Sequence, residues 1–350
     1  MNIISLLKYA ISNNASDIHI TVGKPPVLRV DGVLVNLEGE ELSSDDTKSI
    51  VEELLSHDKL IELDKSGQVD SSYSIAEIGQ FRINAFKQRG SLGVAIRVIP
   101  SRIPTIKELN LPDIIEDLAM IPRGLILVTG PAGSGKSTTL ASIIDLINEQ
   151  KRAHIITLED PIEYLHKHKN CIVNQREVGM DTDSFNEALR AALRQDPDVI
   201  MVGEMRDIET MSTTLAAAET GHLVFSTLHT FGAAKTISRI IDAFPPHQQH
   251  RIRVQLSTVI EAIISQQLLP KVGGKGRVVA TEIMVATPAI RNLIREGKIH
   301  QIDTSIQTGY RKGMRTMDQS LLELFSQGII SKATLLSHAS NVDYVKKIVL

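Results

Sequence analysis

The 350-residue sequence holds a single cysteine, Cys171, no tryptophan, and only 3% aromatic residues. One cysteine closes no intrachain disulfide and builds no thiolate-rich zinc site, so the chain suits a reducing compartment. Cys171 itself is expected as a small buried hydrophobe. So few aromatics leave little material for stacking nucleic-acid bases, and a formal net charge of -3 supplies no global basic field to attract them. No stretch approaches the ~20 apolar residues of a membrane-spanning helix. The opening residues MNIISLLKYAISNNASD lack the basic start and long apolar core of a signal peptide. These absences point to a cytoplasmic protein whose membrane contacts are peripheral, and they disfavour a nucleic-acid motor.

What is present is ordinary globular material, 42% hydrophobic and 23% charged, enough for two or three domains. Pro100, Pro104, Pro112 and Pro122 punctuate one stretch and mark a seam. The expected division is an α+β module over 1–100, a linker over 101–112, and a larger domain over 113–350. In the first module, β-rich runs at 26–35, 80–86 and 92–99 mix with helical patterns at 2–12 and 44–63. Past the seam, strands expected at 125–129, 154–158, 199–202 and 223–226 alternate with helices, the signature of an α/β fold with a mostly parallel sheet. Ser184 and Glu187 read as a capping box. From about Phe244 onward the chain reads as mainly helical.

The sharpest signal follows the first of these strands. Gly130, Pro131, Ala132, Gly133, Ser134, Gly135, Lys136, Ser137 and Thr138 fit the Walker A pattern G-x-x-x-x-G-K-[ST], with a strand before it and a helix after it. The chemistry needs those residue types. Glycines let backbone N–H groups curl around phosphates, Lys136 reaches the β and γ groups, and the Ser137 hydroxyl ligates Mg²⁺. The helix that follows points its positive end at the anion. ATP with Mg²⁺ is the expected ligand.

Ligands of parallel α/β sheets bind beyond the carboxyl ends of the strands. The second strand leads into Glu159, Asp160, Pro161, Ile162 and Glu163, and Pro161 keeps Asp160 out of a helix. The third leads into Gly203 and Glu204, a Walker B-like strand with Glu at the acidic position. Glu204 there serves either a water-mediated Mg²⁺ contact or general-base work. The fourth contributes His222 and, past the strand, Thr227 and His229. Singly, each of these residues reads as surface; together beside a P-loop they read as a site.

A hairpin over 80–99 turning at Arg89-Gly90 opposes residues whose numbers sum to 179, so Arg82 faces Arg97. Directly opposed like charges are destabilising. The pair wants a shared anion: nearby acidic side chains and solvent on one reading, a γ-phosphate supplied by a neighbouring subunit on the other.

At this point the motifs resemble a known family, the type IV pilus retraction ATPases (the PilT family of the secretion ATPases). The resemblance rests on the Walker A run, TLEDPIEY at 157–164, VGEMRD at 202–207, GHLVFSTLHT at 221–230, QQLLPK at 266–271 and AIRNLIREGK at 289–298. It implies a PAS-like N-terminal domain, a RecA-like P-loop ATPase domain with a mainly helical C-terminal part, and a homo-hexamer acting on an inner-membrane pilus platform protein. By position Glu163 matches the family's catalytic glutamate and Glu204 its Walker B glutamate, which would also serve the metal. Arg82 and Arg97 match arginines that reach nucleotide from the N-terminal domain, and His222 and His229 match the family's histidines. The expected function is ATP-driven pilus retraction. The alternative is a pilus-extension or type II secretion ATPase, whose four-cysteine zinc segment one cysteine cannot build. In 287–297, Thr287 and Pro288 start a short helix with Ile290, Leu293 and Ile294 on one face. Arg291 and Arg295 form a basic face expected either to be solvated or to transmit motion to an acidic partner.

Overall fold

Arg89 and Gly90 both take positive φ, 45° and 80°, the backbone that a tight two-residue hairpin turn requires. The computed structural model describes every residue except Met1, Asn14, Asp31, Ala76, Glu77, Ser101, Lys275 and Leu350. The chain divides into two units, Met1–Arg102 with Glu163–Leu165, and Ile103–Ile162 with His166–Leu350.

In the first unit, β1 (Ala15–Ile20), β2 (Val27–Val30), β3 (Val33–Asn36), β4 (Gln68–Ile75), β5 (Gly79–Gln88) and β6 (Ser91–Ile99) form one antiparallel sheet. Its order is β3-β2-β1-β6-β5-β4. Phe81, Ile83 and Ile96 alternate inward and are fully buried against Leu7 of α1 (Ile3–Ser12) and Val51 of α2 (Ser44–Leu54). The single helix expected over 44–63 is two: α2 ends at Leu54 and α3 (His57–Ser66) restarts after Ser56, its N-cap. Strands β1 and β4 went unexpected because their polar positions hide the alternation.

The segment expected as a linker, 101–112, is not free chain. Ile106 and Leu111 are 3% and 5% exposed in the core of the second unit, so residues 103–112 belong to that unit.

The second unit is built on a seven-stranded sheet. Its strands are β7 (Gly124–Thr129), β8 (His154–Glu159), β9 (Ile172–Glu177), β10 (Val199–Val202), β11 (Leu223–Leu228), β12 (Ile260–Pro270) and β13 (Arg277–Val285), in the order β13-β12-β7-β11-β10-β8-β9. All neighbours are parallel except β12 and β13. Residues alternate between two cores: Leu125, Leu127, Ile200 and Val202 face one side, Ile126, Val128, Val199 and Met201 the other. Helices α4 (Ile114–Ala119) and α5 (Lys136–Gln150) cover the second side. The first is covered by α6 (Phe185–Ala192), α7 (Ile208–Glu219), α8 (Ala233–Asp242), α9 (Pro246–Val259), α10 (Pro288–Arg295) and α11 (Ile302–Thr308). Helices α12 (Met317–Ser326), α13 (Lys332–His338) and α14 (Val342–Val349) pack on Leu269, Val278 and Ala280 of the β12–β13 hairpin.

Beyond Phe244 the described residues are mainly helical, and this hairpin interrupts them. A strand buried on both faces carries no polar–apolar alternation to distinguish it from helix, and every residue from Ile263 to Gln267 is buried, the polar Ser265, Gln266 and Gln267 included. Ser184 caps α6 through the Glu187 N–H, one half of the expected box. Cys171 is buried, with Sγ 3.2 Å from the Lys151 carbonyl oxygen. Among the described residues no helix is long and apolar enough to cross a membrane.

Candidate active site at the strand ends

The turn from β7 into α5 is fixed by contacts that admit little else. A Cβ on Gly130 would lie 2.4 Å from the Gln266 carbonyl oxygen and 2.7 Å from Ser134 Oγ, and φ there is +144°. Gly135, at φ +89°, is the left-handed residue that starts α5. Lys136 is buried, and its Nζ donates to the carbonyls of Gly130 and Pro131, each at 3.0 Å. The ammonium is thus held across the mouth of the loop. Pro131, Ala132 and Gly133 are exposed, while Ser137 and Thr138 are half-buried in the first turn of α5.

Three buried polar atoms here have no partner among the described residues: Thr129 Oγ1, Ser134 Oγ and Gln266 Oε1. The Gln266 amide nitrogen donates to Thr139 Oγ1 at 2.8 Å, tying β12 to α5. A buried hydroxyl without a partner costs free energy unless a ligand completes it, and Ser134 lies inside a loop shaped for phosphate. The cradle fits a polyphosphate on its own chemistry. A cavity of about 230 Å³ adjoins it, lined by Leu109, Asn110, Ser134, Thr138, Arg277 and Val279 among others.

The ends of β8, β10 and β11 carry a chain of charges. Glu204 follows β10, and its residue is 9% exposed. One carboxylate oxygen pairs with Arg206; the other meets His229 Nε2 at 3.2 Å, a contact that calls for the proton on Nε2. Arg206 also faces Asp160 at 3.8 Å, and Glu204 beside it raises the guanidinium's pKa further. Asp160, Arg206, Glu204 and His229 therefore link three neighbouring strand ends. Thr227 Oγ1 donates to the Gly203 carbonyl at 2.6 Å, pinning β11 to the turn that presents Glu204.

The carboxylates after β8 divide by environment. Glu159 is buried, accepting from Thr157 Oγ1 at 2.6 Å and Gln175 Nε2 at 2.9 Å, an internal arrangement. Glu163 is exposed, with a carboxylate that has no partner among the described residues. Arg82 and Arg97 lie in the first unit and are direct register partners on β5 and β6. Arg97 Nε donates to Asp17 Oδ1 at 3.0 Å, so this arginine already has an acidic neighbour. Arg82 has none among the described residues.

His222 corrects an expectation. It precedes β11, so it stands at the edge opposite the P-loop, where its carbonyl accepts the N–H of Gly124, the first residue of β7 (3.0 Å). Its Nδ1 lies 2.9 Å from the Ala217 carbonyl oxygen, closing the end of α7. Order along a parallel strand decides the edge, and within this chain His222 is not beside the P-loop.

Arg291 is a second correction. Its guanidinium is not a solvated face: Nη1 donates to the carbonyls of Ser257 (3.1 Å) and Thr258 (2.8 Å), in the last turn of α9. Nε reaches the Ala286 carbonyl at 3.1 Å and Nη2 pairs with Glu261 at 2.7 Å. Sequence reasoning assigned no role to Arg206 or Gln266. Arg206 lies within the quoted VGEMRD run, its one available signal.

Donors here suit a hard cation in oxygen ligation. The Ser137 hydroxyl and the Glu204 carboxylate are such donors, and among the described residues no group of three or more His, Cys, Asp or Glu residues could hold a metal alone. Magnesium is ordinarily held in that sparing way, by one or two protein oxygens plus substrate phosphates.

The family model described as "Type II/IV secretion system protein" matches residues 2–337. The type IV pilus retraction ATPase PilT of Pseudomonas aeruginosa is 47% identical over 95% of this chain and 96% of its own length. A twitching motility protein of Neisseria gonorrhoeae is 48% identical over 90% of this chain and 84% of its own length. A crystal structure of the pilus retraction motor PilT with bound ADP superposes with a TM-score of 0.93, at 50% identity over 99% of both chains. The Legionella pneumophila ATPase DotB superposes with a TM-score of 0.79, at 32% identity over 95% of this chain and 94% of that one. With its P-loop, its strand-end carboxylates and likeness over nearly the whole length, the chain belongs to the type II/IV secretion system protein family and, within it, to the pilus retraction ATPases.

Proposed function

We propose that this chain is the ATP-hydrolysing motor of type IV pilus retraction. The observation that carries the reading is the P-loop, with Lys136 across its mouth and an unsatisfied Ser134 hydroxyl, on the same sheet edge as Glu204 and His229. Lys136 would leave the Gly130 and Pro131 carbonyls to neutralise phosphate charge that grows during transfer. Ser137 and Glu204 would hold Mg²⁺, which when bound would supply charge neutralisation to the phosphates. Glu163, exposed and uncommitted, would orient the attacking water as general base, while His229 and Arg206 hold Glu204. The first unit is taken as PAS-like and the second as RecA-like. Arg82 and Arg97 would reach a nucleotide from the first unit, within a homo-hexameric ring at the cytoplasmic face of the inner membrane that acts on a pilus platform protein.

The test has two arms. Purified protein should release phosphate from ATP, and Lys136→Ala should abolish this without unfolding the chain; near-normal turnover in a folded Lys136→Ala protein sinks the P-loop reading. Cells lacking the protein should lose twitching and accumulate surface pili. Loss of pili altogether would instead identify an extension or secretion ATPase.

A further inference from the structure

Strand β9 is an edge of the seven-stranded sheet, and two of its polar side chains are turned to a task within the fold. It pairs in parallel with β8, Thr157 opposite Gln175 and Glu159 opposite Glu177. Alternation along each strand and register across the pair put all four side chains on one face, that of Val173 and of helix α5. From that face Gln175 and Glu177 reach the loop that follows β8. Glu177 Oε2 accepts the backbone N–H of Ile162 at 3.1 Å, and Gln175 Oε1 accepts that of His166 at 2.7 Å. Three residues lie between those two anchored positions, and the first of them is Glu163.

The anchors are themselves held. The Gln175 amide nitrogen donates to Glu159 Oε1 at 2.9 Å, the oxygen that also accepts from Thr157 Oγ1 at 2.6 Å. One amide thus offers its oxygen to the loop and its N–H to a buried carboxylate, and these partners fix which end is which. The Glu177 N–H donates to Asp181 Oδ2 and the Val178 N–H to the Glu159 carbonyl, each at 2.8 Å, which closes this end of β9. Past His166 the loop is tied to α5, the helix that Lys136 begins. Asn148, fully buried on α5, donates from Nδ2 to the Lys167 carbonyl at 2.7 Å and accepts the Lys169 N–H at 3.1 Å. Ile162 is 7% exposed while Glu163 is exposed, so the backbone is anchored where the next carboxylate is left open.

We propose that Gln175 and Glu177 are positioning residues for ATP hydrolysis: by holding the backbone on both sides of Glu163, they fix the span from which its carboxylate meets the attacking water. A general base works only within hydrogen-bond reach of the proton it takes, and a misplacement of about 1 Å can cost on the order of 10²-fold. Both side chains bond to the backbone of the loop, so they act through Glu163. The inference rests on the reading that Glu163 is the general base of an ATPase.

The experiment measures steady-state ATP hydrolysis and fluorescent-ADP affinity of full-length proteins. The variants are Gln175→Leu, Glu177→Ala, Glu177→Gln, Glu163→Gln and the double variant Gln175→Leu with Glu163→Gln. Leucine at 175 forms neither bond, so kcat should fall on the order of tenfold while ADP affinity stays within about twofold, the signature of an interaction that matters after binding. Glu177→Ala should act in the same direction, and it carries the test where Gln175→Leu does not fold. Glu177→Gln keeps an acceptor for the Ile162 N–H and should restore kcat to within about threefold of wild type. In the Glu163→Gln background, Gln175→Leu should cost no more than about twofold, because a positioning residue then has nothing to position. A loss of about tenfold that persists in that background would overturn the proposal. So would a parallel loss of ADP affinity, a Glu177→Gln protein as slow as Glu177→Ala, or unchanged kcat in both Gln175→Leu and Glu177→Ala. Glu163→Gln protein that turns over at the wild-type rate would overturn the general-base reading beneath it instead.

Discussion

Removing the Arg291 side chain should destabilise the second unit, whereas removing Arg295, one turn further on the same helix, should not. Arg291 closes the carboxyl end of α9 with bonds to Ser257 and Thr258, joins it to the entry of α10 through Ala286, and pairs with Glu261. A helix C-terminus carries unsatisfied carbonyls and a partial negative charge, so a guanidinium there acts as both donor and counter-charge. Bonds to charged groups contribute about 1.5–3 kcal/mol each, but these share one fork and do not add, so a total near ~3 kcal/mol is reasonable. For a unit of this size that corresponds to a fall in Tm of about 6–12 °C. Arg295 is exposed with no partner among the described residues, so Arg295→Ala should stay within about 0.5 kcal/mol. Arg291→Lys, which keeps the charge and loses the fork, should fall between. Thermal unfolding of the three variants decides the matter. Equal, small shifts for Arg291→Ala and Arg295→Ala would refute the capping account and return Arg291 to a solvated or partner-facing role.

Glu163→Gln should bind ATP and hydrolyse it on the order of 10²-fold more slowly; if Glu204→Gln alone gives that trapped state, the two roles are exchanged. Gly130→Ala should lose nucleotide binding, read by fluorescent-ADP titration, because its Cβ would meet the Gln266 carbonyl oxygen at 2.4 Å; retained affinity would contradict the loop geometry. Arg82→Ala protein mixed with Lys136→Ala protein should recover activity that neither has alone, provided the arginine serves a neighbouring copy; no recovery in confirmed mixed rings places it within its own subunit. Burial lowers the His166 pKa from 6.5 to about 4. The unfolded chain therefore binds this proton first on acidification, so stability is full above about pH 6.5 and declines as pH falls toward 4. His166→Gln should flatten the fall in Tm between neutral and mildly acidic buffer, and an unchanged fall would assign it to other groups.

What could be read in advance was whatever is local in sequence. The Walker A loop is nine consecutive residues whose backbone makes the site, so its spacing alone carries the chemistry. The Arg82–Arg97 register was legible because a two-residue turn leaves one pairing, and the strands then differ only in length. Long-range partners were not legible. Arg291 reaches carbonyls more than thirty positions away, and Glu282 caps the start of α8 from 49 positions further along the chain. The place of His222 was hidden for another reason: a residue just before a strand and one just after it look alike in a motif, yet a strand places them at opposite edges of the sheet. The β12–β13 hairpin was hidden because burial on both faces erases the alternation that marks a strand.

The position of β7 in its sheet bears on how the protein is made. Its two neighbours are β11 and β12, and the pairing of Thr129 is with Leu228 on one side and Ser265 on the other. At about 5–20 residues per second, a ribosome that has just released the P-loop strand needs on the order of ten seconds to deliver the second of them. Throughout that interval a strand whose six residues are all destined for burial has at least one open hydrogen-bonding edge. The sheet of the first unit is complete at Ile99 and does not wait. Nascent chains halted before Ile260 should therefore carry a folded N-terminal sheet and a sticky, nucleotide-blind remainder, the state in which a holding chaperone has most to protect.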